Sequence, residues 1–121
     1  MRSPRVSAAY RDGLLKIDFN ECVEPTTRSV EVIVHVDEFG DPSGIELIGV
    51  QTALGQRAAE QFEELARHTE VRLSYDRDAD AATIGTGIAM GSRIAKSATE
   101  LATARLDSTG RLVSLEVPVH R

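Results

Sequence analysis

The chain has no tryptophan, one cysteine, two tyrosines and three phenylalanines among 121 residues. With so few aromatics, a core must be built from Val, Ile, Leu and Ala. A lone Cys22 makes no intrachain disulfide and leaves no cysteine pair for a zinc ribbon or an iron–sulfur cluster. No stretch approaches the roughly 20 apolar residues of a membrane span. The opening MRSPRVSAAYRDG has no apolar run of the kind a signal peptide needs. A cytoplasmic, soluble protein is the expectation, with no membrane partner. Nor is there an excess of positive charge: 14 Lys and Arg stand against 19 Asp and Glu, a net of −5. Binding to nucleic acid through phosphate neutralisation is therefore not expected.

What is present is globular. Apolar residues make up 41% and charged residues 27%, too apolar for a disordered chain, and the length suits one domain. The acidity is local. Residues 1–50 carry 5 basic and 9 acidic side chains, 51–69 carry 2 and 3, and 70–121 carry 7 and 7. An acidic first half suits a basic protein partner, although excess charge also serves solubility.

Periodicity divides the chain into strands and one helix. RVSAAY and LLKIDF flank Arg11-Asp12-Gly13, and Asp-Gly between β-capable runs signals a hairpin. Strands are expected near 5–10 and 14–19. In SVEVIVHV, Val30, Val32, Val34 and Val36 alternate with Glu31, Ile33 and His35, a period of two. Asp37 and Gly40 occupy the first and fourth positions of a type I turn, and 43–49 returns as a fourth strand. From 51 to 69 the period changes. Leu54, Ala58, Phe62, Leu65 and Ala66 form one helical stripe. Thr52 is the candidate N-cap, and Glu63–Arg67 and Glu64–His68 are candidate intrahelical pairs. Glu60, Glu63, Glu64 and Arg67 are the candidate partner surface on this helix. VRLSY, AATIGT, TELATARL and RLVSLEVP read as four more strands. Asp76 and Asp80 sit in the turn between the first two, and Asp107 and Gly110 between the last two.

The two halves repeat one order of parts, 5–49 and 70–119, about a linking helix at 51–69. Tyr10 is followed 65 residues on by Tyr75, Ile17 after 67 by Ile84, and Asp37, Gly40 and Glu46 after 70 by Asp107, Gly110 and Glu116. The drift falls in loops, where insertions cost little. Strand phase is kept across the repeat, with Val32, Val34 and Val36 in register with Ala102, Ala104 and Leu106. The expected fold is α+β: two antiparallel four-stranded meanders related by a pseudo-two-fold axis, with the helix on one sheet face.

These motifs resemble a small bacterial family, domain of unknown function 2283, with two diverged copies here. That family has a Tyr-Asp-x-x-x-Asp-x-Leu opening and an Asp-x-x-Gly turn before a Gly-Ile-Glu strand. Tyr75, Asp76 and Asp80 match the opening, with Ala82 in place of Leu. Gly44-Ile45-Glu46 matches the strand in the first half, where the second has Ser114-Leu115-Glu116. The resemblance implies a small β-rich protein. Some members lie beside toxin genes and are taken as their antitoxins. It implies no catalytic residue.

Candidate chemistry is sparse. Asp76, Asp78 and Asp80 alternate as in a calcium loop, but Ala81 and Gly87 stand where that loop needs Gly and Glu. Gly85, Gly87 and Gly91 lack phosphate-loop spacing. His35, His68 and His120 form no ligand pair in sequence, and Glu21 and Glu24 beside Cys22 disfavour a reactive thiolate. No cofactor or metal is expected. The resulting expectation is a non-enzymatic protein-binding module, antitoxin-like toward a basic partner or self-associating as a homodimer. The alternative is a small-molecule binder or enzyme with a cleft between the repeats.

Overall fold

The computed structural model describes residues 6–22, 24–68, 72–86 and 94–119. In chain order the elements are β1 (Ser7–Arg11), β2 (Leu14–Asp18), β3 (Thr26–Asp37), β4 (Pro42–Ile48), α1 (Val50–Leu54), α2 (Gln56–Leu65), β5 (Leu73–Asp76), β6 (Ala81–Gly85), β7 (Ile94–Leu106) and β8 (Leu112–Pro118). Of the Gly-rich stretch after β6, residues 87–93 lie outside the described residues, and the end of it, from Ile94, is strand.

All eight strands join one antiparallel sheet in the order β1-β2-β8-β7-β3-β4-β6-β5, curled into a half-barrel. The fold is α+β as expected, but the strands do not form two consecutive meanders. β2 neighbours β8 rather than β3, and β6 neighbours β4 rather than β7. Each hairpin is thus laid against the other half. The physical reason is that β3 and β7 are long and pair with each other from Thr26↔Leu106 to Asp37↔Ile94. That pairing occupies the edges the hairpins would otherwise take.

The arrangement keeps the symmetry of the sequence pattern. Exchanging β1–β4 with β5–β8 reverses the strand order onto itself. The register follows: Val30↔Ala102 maps onto Val32↔Glu100, with Glu31↔Leu101 at the centre. Outside it, Ile17↔Leu115 maps onto Ile84↔Ile45. The β3–β4 ladder shifts register between His35 and Val36, and the β7–β8 ladder between Arg105 and Leu106. Both bulges therefore fall at the same place in the two halves.

The alternating residues build the core on the inner face. Leu15, Ile17, Val30, Val32, Val34, Ile45, Leu47, Ile84, Ala102, Ala104, Leu115 and Val117 are buried there. β-Branched and aliphatic side chains suit a pleated surface, and aliphatics fill it without polar atoms. The helical segment crosses this face. Phe62 is fully buried, edge-on to Phe19 at 5.8 Å and stacked on Tyr75 at 6.5 Å. One side chain thereby ties β2's end to β5. Burying a Phe stabilises by about 2–3 kcal/mol.

The expected continuous helix is two. Gly55, at φ 101° and ψ 169°, takes a conformation no helix interior allows and separates α1 from α2. Thr52 is not the cap. Gly49 precedes α1 with φ 67° and offers no side chain, so Asp80 supplies the carboxylate from the β5–β6 turn.

Candidate functional site

Two regions bring chemistry-bearing side chains together. The first is a row across the outer sheet face. His35 on β3 lies between Ser97 on β7, Oγ to Nδ1 2.7 Å, and Glu46 on β4, Nε2 to Oε1 3.0 Å. With Nε2–H donating to the carboxylate, a neutral ring leaves Nδ1 to accept the Ser97 hydroxyl. That is the connectivity of a hydroxyl nucleophile, its base and an orienting acid. The sequence hides it, because the three residues are 11 and 62 positions apart and meet only through register.

The same place in the other half has a different row. The counterpart of His35 is Arg105, whose Nη2 lies 3.0 Å from Glu116, and Thr27 faces Arg105 on β3. An arginine stays charged and cannot act as the base. The pair of rows reads as cross-strand polar ladders, a common stabilising feature of sheets.

The second region is the helical segment against β5 and β8. Asp80 accepts from Gln51 N–H at 2.8 Å, Thr52 N–H at 3.3 Å, Thr52 Oγ1 at 3.4 Å and Tyr75 Oη at 3.0 Å. Burial alone would raise its pKa, but these donors hold it below the ordinary carboxylate range. Burial pushes the Tyr75 hydroxyl up to about 12, with Asp80 adding to the shift. Arg77 makes two bonds of 2.8 Å to Glu63. Gln61 is buried and clamps β8: its Nε2 donates to the Leu112 carbonyl at 3.1 Å, and its Oε1 accepts the Leu112 N–H at 2.6 Å.

Two shallow cavities flank α2. One, of about 460 Å³, is lined by Arg28, Leu54, Gly55, Gln56, Arg57, Glu60 and Gly110. The other, of about 380 Å³, is lined by residues including Gln51, Glu63, Tyr75 and Arg77. The two halves meet along three ladders, β2–β8, β3–β7 and β4–β6.

The sequence-derived positions resolve into local roles. Asp37 Oδ1 accepts Phe39 N–H and Asp41 N–H, each at 2.9 Å, and Asp107 Oδ1 accepts Thr109 N–H at 2.9 Å and Arg111 N–H at 3.1 Å. Gly40 and Gly110 follow with φ 86° and 89°, so both turns need a residue free of a Cβ. Asp12 and Gly13 have φ 53° and 78°, a type I′ hairpin. Asp76 Oδ1 accepts Asp78 N–H at 3.0 Å and Ala79 N–H at 3.3 Å, while Asp80 leaves the turn to cap α1. Among the described residues no three His, Cys, Asp or Glu side chains gather as a metal site.

The helix acids meet partners outside the expected intrahelical pairs. Glu63 bonds Arg77, Glu64 lies 3.5 Å from Arg111, and Glu60 lies 3.7 Å from Arg57. α2 ends at Leu65, before Arg67 and His68 are reached. No helix among the described residues is long and apolar enough to cross a membrane. No family model, curated protein or solved structure matches this chain.

Proposed function

We propose that this chain is a non-enzymatic protein-binding module built from two copies of one half, in keeping with its resemblance to domain of unknown function 2283. The observation that carries this reading is the outer sheet face. At its centre Leu101 is 65% exposed on a middle strand, beside half-buried Ile33, with no described element over it. Contiguous exposed apolar surface is what marks a contact site, and Leu101 with Ile33 supplies its start on this face. The helices occupy the inner face, and the acids on α2 are engaged with arginines of the same chain. The outer face therefore favours an apolar contact with a polar rim, and net acidity adds long-range attraction for a basic partner.

The test is co-purification of the full chain with the products of adjacent genes, for the native sequence and for Leu101→Asp. A complex that the substitution abolishes is expected. Failure to form any complex, together with ligand-induced stabilisation in a small-molecule screen, would overturn the reading. The second reading, a hydrolytic enzyme, is favoured only by the Ser97–His35–Glu46 row. Ester hydrolysis lost in Ser97→Ala would establish it, and a rate equal to that of the substituted chain would remove it.

A further inference from the structure

We propose that β1 is the edge through which two copies of this chain associate, in antiparallel pairing about Ala9. Among the described residues the sheet has two edges, β1 and β5, and they differ in protection. β5 has only four residues, Leu73–Asp76. Tyr75 is stacked on Phe62 and bonded to Asp80, and the turn after it is tied to α2 through Arg77 and Glu63. Among the described residues β1 has fewer such devices, its one charge being Arg11 at the turn end. From Ser7 to Tyr10 it carries no charge and no proline, and its pairing with β2 is regular from Ser7↔Asp18 to Arg11↔Leu14. Regular, uncharged edges template another strand.

A second copy fits this edge through its own sequence. In a two-residue hairpin the residues flanking the turn form the closing hydrogen-bonded pair. Arg11, Ala9 and Ser7 therefore direct their backbone groups toward β2, and Ala8 directs its own outward. With the axis at Ala9, Ala8 of each copy faces Tyr10 of the other, and Ser7 faces Arg11. A ring then lies over a methyl group twice, once on each side of the axis, so the strand is complementary to a second copy of itself. The inner face continues as well. Val6, Ala8 and Tyr10 are partly buried against the core, and the same three residues of a second copy extend it. The symmetric addition is a closed dimer rather than a fibre, because an isologous contact uses each edge once.

The experiment is light scattering after size exclusion on the full chain, over a concentration series. A mass of twice 13.1 kDa is expected. Ala9→Lys sets two ammonium groups opposite each other on the axis and should weaken dimerisation by about fivefold or more. Ala8→Pro deletes the outward N–H while sparing the β2 ladder and should give a monomer. Ser74→Lys, on the other edge, should leave the dimer intact. Far-UV circular dichroism on each variant separates loss of pairing from loss of fold, and Ala9→Lys, on an exposed side, is the variant expected to fold normally. A native chain that stays monomeric at about 0.5 mM would overturn the proposal. So would a dimer that Ala9→Lys and Ala8→Pro leave unchanged, or one that Leu101→Asp dissociates. That last result would place self-association on the outer face, so the two surfaces are told apart.

Discussion

The turn at Asp37 and the turn at Asp107 are built alike and supported differently. In each, the first Asp N–H donates to the carbonyl of the fifth residue at 2.9 Å, and the Gly N–H returns to the Asp carbonyl at 3.1 and 3.0 Å. Each follows a bulge at the same position. The difference is the next residue. Beyond Asp107 stands Leu112, whose N–H and carbonyl are both taken by Gln61 from α2. Beyond Asp37 stands Pro42, which has no N–H to satisfy, and whose carbonyl accepts Thr86 Oγ1 at 2.7 Å. One helical segment thus serves one end of the sheet. At the other end, proline removes the donor that a helix would otherwise have to meet. Two solutions to one backbone requirement show that what must be conserved between halves is hydrogen-bond closure, not side-chain identity.

Substitutions can break or sharpen that comparison. Phe62→Ala should have the largest effect, about 3–5 kcal/mol, read by urea unfolding. Hydrogen exchange should then speed up at the Asp107 turn before the Asp37 turn. Gln61→Leu should cost about 2–4 kcal/mol, because it orphans a buried donor and acceptor together. Thr86→Val, its nearest equivalent at the other end, should cost only about 1 kcal/mol. Pro42→Leu restores the missing N–H where no glutamine waits, and a loss of about 1–3 kcal/mol by thermal or urea unfolding is expected.

The smallest effect is in pH. The Thr109 hydroxyl, at 2.6 Å, is the main cause that holds the Asp107 carboxyl below its ordinary range, helped by the Arg111 and Thr109 N–H groups. A depressed folded-state pKa means a contribution that is complete above the ordinary carboxylate value and fades as pH falls through the lower one. Thr109→Val should therefore lower stability at neutral pH slightly and flatten the acid limb of the stability profile. Tyr75 gives the opposite limb. Its hydroxyl is raised from 10.0 to about 12, so the stability it lends is whole below pH 10 and is lost as pH climbs toward 12. Tyr75→Phe should flatten that alkaline slope.

Much of the architecture is written in short-range pattern. The turns at Asp12, Asp37, Asp76 and Asp107 and the alternation of Val30 to Val36 are local signals, and eight strands follow from them. The partners of those strands are not local. Nothing within LLKIDF says that Ile17 will face Leu115, because that choice depends on β3 and β7 lying side by side in the middle of the sheet. The helix break was legible only in part. Gly55 lies within a regular apolar stripe that argues for continuity, and the Asp80 cap comes from 28 residues away. The Ser97–His35–Glu46 row is invisible for the same reason: three strands must be in register before the side chains meet.

The exchanged hairpins have a consequence for how the chain becomes this structure. Ile17 waits for Leu115 and Glu31 for Leu101, so three of the seven ladders, β2–β8, β3–β7 and β4–β6, close over long stretches of sequence. Long-range closure places a protein among the slower two-state folders, on the order of milliseconds to seconds. During synthesis the β1–β2 hairpin emerges first, and its proper neighbour, β8, emerges last. Until then, its apolar inner residues have no sheet to join. The interlocked halves also mean that neither can be removed without stripping an edge from the other, so loss of structure should occur in a single step.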